Sequence, residues 1–185
     1  MKEHSKKVSD IHQQLIEDCR RGSRKAQSRL YKLYYKAMYN TSLRIVSRRE
    51  VAEDIMQESF MKAFMKIRQF RGEVSFGAWL KKIVVNRSLD YLRQNHPAFE
   101  EITDIENELT GDENPEIDND ITISDIRMEI GKLADGYRIV LSLYLLEGYD
   151  HDEIAGILNI SPSTSRSQLA RAKKVLAQNL KKLKR

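Results

Sequence analysis

The sequence predicts an all-α protein, two small helical domains joined by an acidic flexible linker, with a helix-turn-helix in the second domain. Three observations predict it. Apolar residues recur at the three-and-four spacing of an amphipathic helix through both halves of the chain. Gly (8) and Pro (3) are scarce while 32% of the residues are charged, a composition that favours helices over sheet. The acidic residues are also segregated: residues 100–129 hold twelve Asp or Glu against one basic residue, Arg127. That stretch carries −11, so in a chain of net charge +5 the other residues sum to +16. Two basic bodies joined by an acidic strap point to a polyanionic partner.

Taken in order, a first helix is expected from about Ser9 to Arg21, stopping at Gly22. Cys19, the single cysteine, falls in register with Val8, Ile11, Leu15 and Ile16 and reads as a packed thiol, in keeping with a reducing cytoplasm. A second helix over 24–46 places Leu30, Leu33, Tyr34, Met38 and Ile45 on one stripe. Ser47 and Glu50 have the spacing of a capping box that opens a third helix, with Val51, Ile55, Phe60, Ala63, Phe64 and Ile67 inward. A break at FRGEVS (70–75) precedes a fourth helix over 76–93, with Phe76, Leu80, Ile83, Val84 and Leu92 on its core side. Pro97 follows. These elements make a first domain of 1–96, and 97–123, with Gly111 and Pro115, reads as the linker. The second domain, 124–185, is expected to hold helices over 125–133, 137–147, 151–158 and 162–183.

Asp150-His-Asp-Glu153 reads as a second capping box, Asn159 as a left-handed helix end, and Ser161-Pro162 as N-cap and first-turn proline. In the last helix Leu169, Ala172, Leu176, Leu180 and Leu183 form the inward stripe. Ser163, Arg166, Ser167, Ala170 and Arg171 therefore face elsewhere, where a recognition helix meets the major groove. From 161 to 185 there are eight basic residues and no acidic one, which suits phosphates. Glu53, Asp54, Gln57, Glu58 and Met61 lie opposite the core stripe of the third helix. On the fourth, Trp79, Lys82, Asn86, Asp90 and Arg93 share a face flanked by Phe70, Arg71 and Phe76; aromatics among cations suit unstacked bases.

Other chemistries find little support. The acidic cluster at 150–153 points around a helix start rather than to one metal, and His4, His12 and His96 are isolated, so no cofactor, metal or catalytic site is expected. No apolar run approaches the ~20 residues of a membrane span. The N-terminal MKEHSKKVSD has no apolar stretch of a signal peptide, so a cytoplasmic location is expected.

Three motifs, DIMQESFMKAF (54–64), FRGEVSFGAWLKKIVVNRSLDYLR (70–93) and the segment from Leu133 to Leu176, occur in an order that resembles the extracytoplasmic-function sigma factors of the sigma-70 family. The resemblance implies a bacterial transcription-initiation subunit, not itself an enzyme, whose partners are core RNA polymerase (clamp helices and flap), promoter DNA and, for some members, an anti-sigma factor. It implies polymerase docking by Asp54, Gln57, Glu58 and Phe60. It implies recognition and melting of the −10 element by Arg71, Phe76, Trp79, Lys82, Asn86 and Arg87. Reading of the −35 element is implied for Ser163, Arg166, Ser167, Ala170, Arg171 and Lys174. The sequence departs from the family pattern at Ser163 (usually Gly), Ser165 (usually Val) and Gln168 (commonly basic). The first two departures are expected to loosen helix packing. A DNA-binding regulator sharing only the helix-turn-helix is the competing reading, and the motifs between 54 and 93 argue against it.

Overall fold

Five helix starts among the described residues are set by short polar side chains. Ser23 Oγ accepts from the Ala26 N–H at 3.3 Å, and Ser75 Oγ from the Ala78 N–H at 3.1 Å. Thr122 and Asp125, then Asp150 and Glu153, form reciprocal capping boxes, and Ser161 Oγ accepts from the Thr164 N–H at 3.0 Å. Each supplies a partner to an N–H that the first turn of a helix leaves unpaired. The computed structural model describes residues 12–95 and 121–183, and all regular elements among them are helical. The chain divides into two compact units, Met1–Leu89 and Asp90–Arg185.

In the first unit, α1 (residues 12–20), α2 (Arg24–Val46), α3 (Arg49–Met65), a 3-10 turn (Ile67–Gln69) and α4 (Phe76–Asn95) follow one another. The division between units falls inside α4. The core joins Leu15, Ile16 and Cys19 of α1 to Leu30 and Met38 of α2, Met56, Phe60 and Ala63 of α3, and Phe76, Leu80 and Val84 of α4. Val85, Leu89 and Leu92 are also buried on α4, whereas Leu33, expected on the α2 stripe, is 54% exposed. Burial pushes the Cys19 thiol up to about 11, helped by the nearby Asp18.

One cap differs from expectation. Ser47 does not open α3; it closes α2 in the left-handed region (φ 54), its N–H returning to the Leu43 carbonyl, and Arg48 takes the N-cap position without a side-chain capping bond to the α3 backbone. Only two residues separate the helices, so the one that must reverse the backbone cannot also cap the next helix.

The second unit contains α5 (Ile123–Lys132), α6 (Asp135–Leu141) continued by a π turn (Ser142–Leu146), α7 (His151–Leu158) and α8 (Pro162–Lys182). Its core is Leu133, Ile139, Val140, Leu141, Leu143, Ile154, Leu158, Leu169, Ala172 and Leu180. The uninterrupted helix expected over 137–147 instead widens at Ser142, whose carbonyl accepts from the Glu147 N–H at 3.0 Å. Asn159 adopts the expected left-handed cap (φ 58). Leu183, at the end of the expected α8 stripe, is 42% exposed. Arg138 is buried and holds the α5–α6 corner through the Leu133 carbonyl at 3.1 Å and Asp135 at 2.7 Å. The acidic linker expected over 97–123 lies outside the described residues as far as position 120.

Candidate nucleic-acid interface

Three exposed faces carry the residues singled out in the sequence. On α3, Asp54, Gln57 and Glu58 are exposed, and Phe60 is not: it lies in the core at 2% exposure, its ring 4.8 Å from that of Tyr31. The aromatic that follows QES therefore supports this face from beneath, because it points along the inward stripe of α3. Met61 (66%) and Met65 (84%) extend the same side as exposed apolar residues, beside a groove also lined by Glu58, Lys62 and Lys66.

The second face belongs to α4 and the loop before it. Phe76 is buried at 3% and cannot meet a base directly. It anchors Trp79, which is half-buried against Phe70 (ring centroids 5.3 Å apart) and Phe76 (5.8 Å). Phe70, Phe76 and Trp79 thus form one aromatic cluster of which the indole is the outermost ring. The cluster lies close to α2: a Cβ on Gly77 would fall 2.8 Å from Tyr34, so glycine is required for that approach. Arg71 is largely exposed and stands 4.0 Å from Glu73, too far and too wet for a strong pair. Lys82 and Asn86 are exposed. Arg87 Nε donates to Glu58 Oε2 at 2.7 Å, an ion pair between the α4 face and the α3 face. Two residues that the sequence assigned to separate surfaces are therefore bonded to each other.

The loop before α4 has a clamp that the sequence did not reveal. Arg20, at the end of α1, donates to the carbonyls of Ile67 and Phe70 and pairs with Glu17. Periodicity could not find this residue, because its partners are backbone atoms about fifty positions along the chain.

On α8, Ser163, Arg166, Ser167 and Ala170 are exposed, and Arg171 and Lys174 are half-buried. Hydroxyls hold the first turn: Ser161 Oγ lies 2.6 Å from Ser163 Oγ and 2.7 Å from Thr164 Oγ1. Ser167 Oγ donates back to the carbonyls of Ser163 and Thr164. Ser165 was expected to loosen packing. It is instead wholly buried and bonded to His151 at 2.9 Å, so the loss of an apolar side chain is met by a polar contact. Gln168 is buried as well and leaves the exposed face to its neighbours.

Among the described residues no group of three or more His, Cys, Asp or Glu could hold a metal ion, and no helix is long and apolar enough to cross a membrane. The Asp150–Glu153 cluster is engaged in capping, with bonds of 2.8 and 2.9 Å.

Comparison with known proteins gives these faces a context. Sigma-70 region 2 matches residues 30–97 and Sigma-70, region 4 matches residues 123–176. The ECF RNA polymerase sigma-E factor of Haemophilus influenzae is 31% identical over 182 residues, covering 92% of this chain and 96% of that protein. The ECF RNA polymerase sigma factor SigW of Bacillus subtilis is 27% identical, covering 91% and 96%. In fold, the chain resembles the sigma factor RpoE of Bartonella quintana, solved in complex with the anti-sigma factor NepR, with a TM-score of 0.57 at 22% identity over 85% of this chain and 98% of that one. The chain belongs to the extracytoplasmic-function sigma factors of the sigma-70 family, the RNA polymerase subunits that act in transcription initiation.

Proposed function

We propose that each of the three faces has its own partner. The α3 face, with Asp54, Gln57 and Glu58, docks on the clamp helices of core RNA polymerase, and Phe60 holds its shape. The α4 face, with Arg71, Trp79, Lys82, Asn86 and Arg87, receives and opens the −10 element, Trp79 offering a stacking surface to an unpaired base. The α8 face, with Ser163, Arg166, Ser167, Ala170, Arg171 and Lys174, reads the −35 element in the major groove, while the second unit also meets the polymerase flap. In this reading the chain is a non-catalytic specificity subunit working in the cytoplasm, with an anti-sigma factor as a further partner.

The observation that carries the reading is that the first unit presents two adjoining exposed faces, joined by the Arg87–Glu58 pair: an acidic one on α3, and one on α4 where an indole stands among cations. A regulator that bound DNA only through α8 would need neither. The test is run-off transcription with purified core polymerase and a library of randomised promoters. The expected result is transcription from a subset sharing two short elements, with Arg166→Ala relaxing selection at the upstream one, since a good base contact discriminates by ~1–3 kcal/mol. Lys181→Ala and Lys182→Ala, further along α8, should lower affinity alone. Failure of the chain to redirect core polymerase to any promoter would overturn the reading.

A further inference from the structure

Ser165 lies in the first turn of α8, beside the exposed Arg166, with its side chain wholly buried. Its Oγ shares a 2.9 Å hydrogen bond with Nδ1 of His151, the first residue of α7, and either atom can donate. The imidazole in turn stacks on Tyr144, with ring centroids 4.5 Å apart and planes 22° from parallel. Tyr144 belongs to the π turn that interrupts the helix after α6. Three consecutive elements therefore converge on one imidazole. None of the local roles already described requires this. The α7 capping box uses Asp150 and Glu153, and the backbone N–H of Ser165 is satisfied by the Ser161 carbonyl at 3.0 Å.

A buried hydroxyl without a partner is costly, so Ser165 at this position depends on a nitrogen in reach. A hydrogen bond is also directional in a way that an apolar contact is not: distance and angle together fix how far one helix can rotate or slide past the other. That matters here because consecutive helical residues are rigidly related. Any rotation of the first turn that moves Ser165 moves Ser163, Arg166 and Ser167 with it. A polar contact to a base edge tolerates displacement on the order of 0.5 Å before it weakens.

We propose that His151 and Ser165, with Tyr144 against the ring, form a positioning clasp that sets the angle at which α8 presents Arg166 and its neighbours to DNA. Sequence preference then depends on two residues that touch no base. This rests on the assignment of α8 as the reading helix.

The experiment uses the full chain with core polymerase on a promoter library randomised at the upstream element, with thermal denaturation of each variant alongside. His151→Phe keeps a ring on Tyr144 and removes the nitrogen; Ser165→Ala removes the hydroxyl; the double variant removes both; Arg166→Ala serves as reference. The expected result is that each clasp variant broadens the upstream preference several-fold, leaving preference at the downstream element unchanged. The double variant should lose less stability than the two single losses added together, because it leaves no orphaned hydroxyl. An unchanged upstream preference in both clasp variants, with Arg166→Ala shifting it, overturns the clasp and leaves the reading helix standing. Strict additivity of the stability losses also overturns it. If Arg166→Ala too leaves the preference unchanged, the assignment of α8 itself fails.

Discussion

Phe60 and Asp54 are six residues apart on one helix and make opposite contributions. The Phe60 ring packs against Tyr31 and Phe64 inside the first unit. Truncation to Ala should remove about 3–5 kcal/mol of stability, as a buried aromatic does. Asp54 is exposed, and Glu58 has only its half-exposed pair with Arg87 to lose, an interaction of about 0.2–1 kcal/mol at such exposure. Asp54→Ala with Glu58→Ala should therefore shift the urea midpoint slightly while weakening binding to core polymerase. Equal polymerase affinity for variant and parent would remove α3 from the docking surface. Cys19 offers a second measurement. Burial, with Asp18 nearby, raises its pKa to about 11, so the folded state disfavours the thiolate and the thiolate stays rare until the pH approaches that value. At pH 8 the native protein therefore holds far less thiolate than the unfolded chain. Iodoacetamide should label Cys19 slowly in native protein and fast in urea; equal rates would contradict its burial.

Among the elements, legibility followed the source of the signal. The α2 span, the α7 capping box, Asn159 and Ser161-Pro162 were legible because each rests on residues a few positions apart. Ser47 was misread for an instructive reason: Ser47 and Glu50 have capping-box spacing, but nothing in that spacing shows that Ser47 must first turn the chain out of α2. The π turn at Ser142 leaves no periodic trace, and neither does the Arg20 clamp, whose partners are distant backbone atoms. The site showed the same pattern: Trp79, Lys82, Asn86 and Arg166 could be placed on exposed or half-exposed faces from helical phase. The burial of Phe60 and Phe76 was written in that phase too, since both belong to inward stripes, yet motif resemblance assigned them to contacts. Ser47 also yields a prediction. A serine at φ 54 carries strain that glycine lacks, and the side chain makes no capping bond for α3. Ser47→Gly should stabilise the first unit by up to about 1 kcal/mol, read as a raised denaturation midpoint. A lowered midpoint would mean that the serine side chain makes a compensating contact.

For the molecule as a whole, the decisive quantity is the distribution of charge. Residues 100–129 carry −11 and the rest of the chain +16, on one polypeptide. The side chains proposed to meet phosphates are among those that an acidic segment attracts, and covalent linkage gives that segment an effective concentration that no free competitor has. Individual pairs of this kind are weak and are screened beyond about 10 Å at 0.1 M salt, so the competition acts through its sum and is salt-sensitive. DNA binding has its own salt dependence, set by the counterions that phosphates release to Lys and Arg. Both effects use the same cations, so they are separated by changing the acidic segment alone. Replacing Asp112, Glu113, Glu116, Asp118 and Asp120 by Asn or Gln removes five negative charges and leaves every proposed contact residue in place. The free protein should then bind a promoter duplex more tightly than the parent at low salt, with the two converging as salt rises. In complex with core polymerase, where further contacts to DNA are expected to add to the binding, the gain should be smaller. Fluorescence anisotropy on one promoter fragment, at two salt concentrations and with or without polymerase, reads all four conditions. Equal affinities for parent and neutralised free protein at low salt would make the acidic segment a passive tether.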